Sequence, residues 1–181
     1  MSNPFSEIEL TSFFWQISRA IHEMHSNDIM HWDIKPENFF LTKKKIIKLG
    51  DFGESKILDK GIVTGKHTGW VGTEMYMSPE MVTFKGRGGI PYSNKTDVWG
   101  VGMVYAELMC LEYAFNVENQ LERINAIAKG KNFRTLPDNY PVKLWELVTK
   151  MLSIDPHSRP NSREIVETIE AHIFEKNWSM K

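Results

Sequence analysis

The sequence lacks the features that mark secreted and membrane-spanning proteins. One cysteine, Cys110, occurs among its 181 residues, which excludes an internal disulfide and is typical of a reducing compartment. No apolar run is long enough to span a bilayer, and residues 1–9 lack the basic-then-apolar order of a secretory signal. We therefore expect a cytoplasmic or nuclear protein, with Cys110 as a core residue because it lies in an apolar run.

An excess of charge of either sign is also missing. The sequence has 22 Lys and Arg against 23 Asp and Glu, a formal net charge of -1, so we expect neither a nucleic-acid partner nor a membrane partner. Hydrophobic residues make up 41% and charged residues 25%, which is ordinary for a globular protein. We expect a single domain over residues 1–181, because this length suffices for one substantial core.

Helical periodicity is the main pattern present. Over residues 7–26 the apolar side chains recur at steps of three and four, on one face: Leu10, Phe14, Ile17, Ile21 and Met24. Ser6 and Glu9 form a candidate capping box at the start of this helix. We interpret His22 and His25, three apart on it, as surface residues rather than metal ligands. Further helices are predicted over residues 94–111, 118–129, 142–152 and 162–172, followed by a frayed tail, 175–181.

Two other segments carry little helical pattern. The short apolar runs Phe39–Leu41 and Ile46–Leu49 flank Lys43–Lys45 and predict a small β-hairpin with a solvated turn. Residues 51–80 are rich in Gly, Thr and Lys and show no clear period. Because long irregular loops in compact domains tend to be functional, we expect this segment to serve the activity.

Three oxygen-bearing side chains surround the predicted hairpin. Asp33 and Asn38 precede it, and Asp51 follows it. Such a set can hold Mg²⁺ and leave one carboxylate free as a base, while Lys35 supplies a cation. Phosphoryl transfer needs a metal for the phosphates, an acceptor for the hydroxyl proton and a cation near the transferred group. The pattern therefore indicates phosphoryl-transfer chemistry.

These residues lie in motifs that resemble those of the eukaryotic protein kinases. The matching segments follow the family's order: HWDIKPEN at His31–Asn38, DFG at Asp51–Gly53, SPE at Ser78–Glu80, DVWGVG at Asp97–Gly102 and DPHSRP at Asp155–Pro160. A lysine two residues after the catalytic aspartate is similar to Ser/Thr kinases, and Leu111–Phe115 resembles the NIMA-related kinases. The resemblance implies a mainly α fold: the C-terminal lobe of a kinase, a helical bundle with a small β-hairpin at the active site, without the N-terminal β lobe. Residues 51–80 correspond to the activation segment.

The resemblance also implies a role for each residue of the active site. Asp33 corresponds to the catalytic base, Lys35 to the γ-phosphate lysine, and Thr73 to a residue near the substrate hydroxyl. Asn38 and Asp51 correspond to the Mg²⁺ ligands. The implied cofactors are ATP and Mg²⁺, with ATP contacted by Lys35, Asn38, Asp51 and Phe40, the last at the floor of the adenine site.

A second set of residues corresponds to the family's structural supports. Asp97 is expected to brace the backbone of the catalytic loop, and Arg159 to pair with Glu80. Removing one partner of such a buried ion pair lowers the stability of the fold by about 3–5 kcal/mol. His31 is expected to pack beneath the loop and to support Phe52.

The sequence departs from the family pattern at two positions near the site. Trp32 replaces the arginine that pairs with a phosphorylated activation loop, so the candidate phosphosites Thr64 and Thr68 lack that reader. We interpret Trp32 as a packing residue, with a special role for its indole as the alternative. Glu74 stands where relatives commonly carry proline. It either favours basic substrates or reflects relaxed constraint.

The family's Gly-rich phosphate loop is not found ahead of the first helix, and Gly86–Gly89 lies too late to replace it. Three functions stay open: a Ser/Thr kinase that is inactive as this chain alone, a pseudokinase-like scaffold that binds a partner protein, and a fragment of a longer kinase with a misassigned start. In the family, Phe40 and Phe52 are covered by the N-terminal lobe. Left uncovered, they predict association through that face, besides a protein substrate.

Overall fold

Helices dominate the part of the chain that the computed structural model describes, which is residues 5–59, 62–63, 74–83, 93–117, 119–131, 133–135 and 140–180. The helices are α1 (Glu7–Ser26), α2 (Pro79–Val82), α3 (Asn94–Cys110), α4 (Gln120–Lys129), α5 (Val142–Met151) and α6 (Ser162–Glu175). The predicted helices are confirmed, and Gly130 ends α4 in the left-handed conformation. None of the described helices combines the length and the apolar character needed to cross a membrane.

Helix α1 begins at the predicted capping box and packs on α3. The Ser6 hydroxyl accepts a hydrogen bond from the Glu9 N–H, and the Glu9 carboxylate accepts one from the Ser6 N–H. On the buried face, the Phe14 ring stacks on Tyr105 of α3 with 3.7 Å between ring centroids. The Tyr105 hydroxyl also donates to the Phe14 carbonyl at 2.6 Å. The capping box therefore fixes where the helix begins, and the buried aromatic pair fixes how it packs on α3.

Helix α3 is the central helix, and its residues are buried from Thr96 to Ala106. Gly100 and Gly102 permit close neighbours here. A Cβ at Gly100 would lie 2.7 Å from the Ile34 Cβ, and one at Gly102 would lie 3.0 Å from the Met151 Cβ. At its C-terminal end, Cys110 is only partly buried, so the prediction of a core cysteine holds in part. Burial raises the pKa of its thiol.

Short antiparallel strands flank the loop that follows α1. Strands β2 (Phe39–Leu41) and β3 (Ile47–Leu49) pair with Phe40 opposite Lys48, which confirms the predicted hairpin. A second sheet was not predicted. In it β1 (Ile29–Met30) pairs with β4 (Lys56–Asp59), which pairs with β5 (Ile62–Val63). Strands this short show no period of their own, and the partner of β1 lies beyond the hairpin. Residues 51–80 therefore contain more regular structure than their composition indicated.

The end of α6 differs from the expected frayed tail at residues 175–181. The helix continues to Glu175, and the Trp178 N–H donates to the Ile173 carbonyl at 3.1 Å. The Trp178 ring meets His172 edge to face, at 5.8 Å between centroids. Lys176 also reaches across to α1, 2.9 Å from Glu7. The apolar ring of Trp178 gains buried surface in this position, which offsets the cost of ordering the chain end.

Candidate active site

The loop between β1 and β2 is held from below by Asp97, in the first turn of α3. The Asp97 Oδ2 accepts the His31 N–H at 2.9 Å, and Oδ1 accepts the Trp32 N–H at 2.8 Å. Trp32 has φ of 66°, in the left-handed region that costs energy for a bulky residue. Its ring is buried, which agrees with the interpretation of Trp32 as a packing residue. The buried carboxylate thus fixes the backbone on which the following site residues stand.

His25 completes this arrangement, and its predicted surface position is wrong. Its side chain is 4% exposed, and Nε2 lies 2.9 Å from Asp97 Oδ2. The position follows from helical spacing, because His25 comes four residues after Ile21 and so lies beside the buried face of α1. His22 is half-buried, with Nδ1 3.3 Å from the Ser162 hydroxyl. The spacing therefore contained a signal that His25 is buried, whereas its partner Asp97 lies 72 residues away in the chain and is known only from the structure.

Asp33 contacts both Lys35 and Asn38. Lys35 Nζ lies 2.6 Å from Asp33 Oδ2. The Asn38 side-chain amide donates to the Asp33 backbone carbonyl at 2.7 Å and to Asp33 Oδ2 at 3.2 Å. The short 3₁₀ turn Pro36–Asn38 produces this geometry, because it folds Asn38 back over Asp33. The structure therefore brings three of the predicted site residues together in the loop between β1 and β2.

Asp51 is joined to this group through the hairpin. The Gly50 N–H donates to the Asn38 carbonyl at 3.0 Å, which brings the end of β3 beside the start of β2. Asp51 follows in the left-handed conformation, with φ of 58°, and its side chain is exposed. His31 supports this end: its Nε2 lies 3.0 Å from the Gly50 carbonyl, and its ring lies 5.3 Å from that of Phe52. Phe52 and Phe40 are 50% and 57% exposed at the same edge.

The donor set at Asn38 and Asp51 fits Mg²⁺. The Asn38 nitrogen is used by Asp33, so its Oδ1 is the atom left to ligate, and within the described ranges that oxygen accepts no hydrogen bond. Asp51 adds an exposed carboxylate. The described residues contain no group of three His, Cys, Asp or Glu side chains that could hold a metal. Mg²⁺ needs no such group, because one or two protein oxygens suffice when phosphates and water complete its shell.

Glu80 and Arg159 form a buried, two-pronged ion pair. Nη1 of Arg159 donates to Glu80 Oε1 at 2.8 Å, and Nη2 donates to Oε2 at 2.7 Å. The guanidinium also donates to the backbone carbonyls of Ser153 and Lys95 and lies 5.0 Å from the centre of the Trp99 ring. This pair ties the start of α2 to the turn before α6.

Other predicted residues lie outside the described ranges, namely Thr64, Thr68, Thr73 and the glycine cluster Gly86–Gly89. The sequence also left two side-chain contacts near the site unpredicted. The Tyr76 hydroxyl donates to Glu107 at 2.6 Å, and burial raises the pKa of the Glu107 carboxyl. Gln16 of α1 binds the turn end of the β2–β3 hairpin. Both contacts join residues far apart in the chain, so no local sequence pattern predicts them.

Comparison with known proteins identifies the family. The family model described as the protein kinase domain matches residues 1–169. The chain is 39% identical over 154 residues to a probable serine/threonine-protein kinase nek2 of Dictyostelium discoideum, covering 83% of this chain and 35% of that protein. It is 36% identical over 170 residues to the serine/threonine-protein kinase Nek4 of Mus musculus, covering 92% of this chain and 20% of that protein.

The chain therefore spans about a third or less of the length of these relatives. A Nek8 kinase of Danio rerio is similar in the same way, at 38% identity over 84% of this chain and 21% of its own. These likenesses confirm the predicted resemblance to NIMA-related kinases. The relatives that it resembles are serine/threonine kinases. Because the family model extends over nearly the whole sequence, this chain belongs to the protein kinase family.

Proposed function

We propose that this chain forms the helical, catalytic-loop lobe of a kinase that transfers the γ-phosphoryl group of MgATP to Ser or Thr hydroxyls of a protein substrate. The contacts of Asp33 with Lys35 and with Asn38 carry this proposal, together with the Gly50 hydrogen bond that brings Asp51 to the same end of the hairpin. These side chains supply a base, a cation and two metal ligands, and the reaction needs each of them.

Each side chain has a definite task in that reaction. Asp33 takes the proton from the substrate hydroxyl onto a carboxylate oxygen, and Oδ1 serves because Oδ2 already binds Lys35 and Asn38. Lys35 offers its ammonium to the oxygens of the transferred group. Asn38 and Asp51 would hold Mg²⁺, which when bound neutralises charge on the phosphates. Asp97 and His25 keep the loop backbone in place throughout.

We further propose that these 181 residues alone have little kinase activity. Phe40 and Phe52 are exposed at the edge where a nucleotide would lie, while ligand sites usually bury most of the ligand. Positioning supplies most of the catalysis in phosphoryl transfer, so a loosely held ATP reacts slowly. A second polypeptide surface over these two rings would complete the site.

Phosphorylation of a generic Ser/Thr protein with MgATP tests this function. We expect near-background turnover for the chain alone. A fusion to the N-terminal lobe of a related kinase should be active, and Asp33→Asn should lower its turnover by about 10²- to 10⁴-fold. Substantial turnover by the chain alone, lost in Asp33→Asn, would contradict its proposed inactivity. An active fusion that is indifferent to Asp33→Asn would contradict the assigned base.

A second candidate is a scaffold that binds a partner protein without catalysis. Trp32 favours it, because a buried indole cannot make the charge-assisted pair that the family's arginine makes at this position. The fusion distinguishes the two functions. A scaffold would stay inactive in it even when Mg²⁺ and ATP are shown to bind.

A further inference from the structure

Gln16, near the middle of α1, binds the turn end of the β2–β3 hairpin. Its Oε1 accepts the Ile47 N–H at 2.8 Å, and its Nε2 donates to the Lys45 carbonyl at 3.2 Å. Nε2 also donates to the Ser12 hydroxyl at 3.2 Å, within α1. A backbone N–H can only donate and a carbonyl can only accept, so these partners fix the orientation of the amide. Gln16 thus bridges two backbone groups of one turn.

The hairpin needs an anchor of this kind. A two-stranded hairpin is marginally stable by itself in water. Its turn is closed by the Thr42 N–H to the Ile46 carbonyl at 2.9 Å, and Lys45 adopts φ of 59°. Lys45 also pairs with Glu9 of α1, and its hydrogen bond contributes most to holding the pKa of the Glu9 carboxyl at about 2. That pair is exposed and screened by salt, whereas the Gln16 bond to Ile47 is partly buried.

The other end of the same hairpin carries the two proposed metal ligands. Asn38 immediately precedes β2, and Asp51 follows β3 after Gly50. Each strand has three residues, so the turn lies about 10 Å from the ligands. Paired strands tilt together, and a displacement at the turn therefore moves the Asn38 and Asp51 ends as well.

We propose that Gln16 is a positioning residue for Asn38 and Asp51, which acts by fixing the hairpin to α1. This inference rests on the proposed function, because it concerns the same metal site. Gln16 itself bonds Ser12 and the hairpin residues Lys45 and Ile47, not Asn38 or Asp51. Its contribution is to restrict the angle of the hairpin, and so to hold the two ligand oxygens at one spacing.

The test is a Mn²⁺ titration of the full chain with ATP present. Binding is measured by the paramagnetic broadening of the Asn38 and Gly50 amide signals in NMR spectra. Gln16→Met keeps the length of the side chain and removes its polar bonds. We expect it to weaken Mn²⁺ binding by about 3- to 10-fold, less than the roughly 10- to 100-fold typical of groups bonded directly to a metal ligand. Gln16→Glu retains the acceptor for Ile47 and should recover part of the affinity.

Arg19→Met is the matched control, because Arg19 lies one turn further along α1 and bonds Glu170 of α6 instead of the hairpin. It should leave Mn²⁺ affinity unchanged. Equal affinity in the unaltered chain and Gln16→Met would overturn the proposal. If the unaltered chain shows no broadening at these amides, the proposed metal site fails. Amide hydrogen exchange then tests whether Gln16 fixes the hairpin. Faster exchange of the Gly50 amide in Gln16→Met, but not in Arg19→Met, supports that role, and an unchanged rate in Gln16→Met overturns it.

Discussion

The buried side chains of Asp97 and Arg159 bind loops, and their chemistry explains why those loops are ordered. Asp97 accepts the backbone N–H groups of His31 and Trp32, and Arg159 holds Glu80 together with several carbonyls. A charge removed from water is costly unless hydrogen bonds replace its hydration. The loops supply those bonds, so each loop has one low-energy position over the helices.

Glu80→Gln should lower the free energy of unfolding by about 3–5 kcal/mol, because it leaves the buried Arg159 guanidinium without its counter-charge. Urea unfolding measures this change. Lys143→Met removes an exposed ion pair to Glu175 and should cost less than about 1 kcal/mol. Equal losses in the two variants would contradict a special importance of the buried pair.

Glu107 should make stability depend on pH. Burial raises its pKa above the ordinary 4.5, so its favourable contribution is present below pH 4.5 and is lost as pH rises through the higher folded-state pKa. Gln at this position carries no charge at any pH. We therefore expect the melting temperature of Glu107→Gln, relative to the unaltered chain, to rise between pH 4.5 and pH 8.

The exposed Glu146 supplies the control for this experiment. The difference between Glu146→Gln and the unaltered chain should vary less with pH than that of Glu107→Gln. A difference for Glu107→Gln that falls with rising pH would show that the carboxylate is stabilising in its charged form.

Among the elements, α3 determines how closely its neighbours approach. Its glycines lie on the faces that meet the site loop and α5. Gly inside a helix costs roughly 1 kcal/mol relative to Ala, so these two positions favour contact over helix propensity. The site loop and α5 therefore pack directly against the backbone of α3 at these two glycines.

Gly100→Ala should disturb the site loop, whereas Gly102→Ala should not. The new Cβ at residue 100 would lie 3.1 Å from the Ile34 carbonyl oxygen, in the loop backbone, and at residue 102 it would meet only side chains. We expect each variant to lose about 1–3 kcal/mol from overpacking, measured in urea. Only Gly100→Ala should shift the amide signals of His31 and Trp32. Unshifted signals in that variant would contradict the close contact.

At the scale of the whole molecule, the hairpin and the turn that follows it carry several exposed apolar side chains among the described residues, namely Phe40, Leu41, Ile46 and Phe52. Exposed apolar patches of this kind recruit a partner or a second copy. Of these residues, Phe40 and Phe52 lie toward the end of the hairpin that carries Asn38 and Asp51, the residues proposed to bind the metal of MgATP. The surface proposed to complete the site therefore carries exposed apolar side chains that favour association.

The isolated chain should therefore self-associate at high concentration. The double variant Leu41→Thr, Ile46→Thr keeps β-propensity while removing apolar area, and it should shift sedimentation toward the monomer. Val142→Thr, at an exposed position on α5, serves as the control and should leave association unchanged. A monomeric unaltered chain would contradict this expectation.

Much of the fold could be predicted from local pattern. Helix α1 was predicted over its observed range because capping and apolar spacing are properties of one segment. The β2–β3 hairpin was predicted for the same reason. The β1–β4 pairing was not, since β1 has only two residues and shows no period, and its partner β4 lies beyond the hairpin.

The sequence alone determined the helices, the hairpin and the motif order that points to Asp33, Asn38 and Asp51, because these depend on residues close together in the chain. Only the tertiary structure decided that His25 lies against Asp97 and that Gln16 holds the hairpin turn. The physical reason is common to both. A polar side chain on a helix faces either water or a partner, and the partner becomes known only when distant segments have packed.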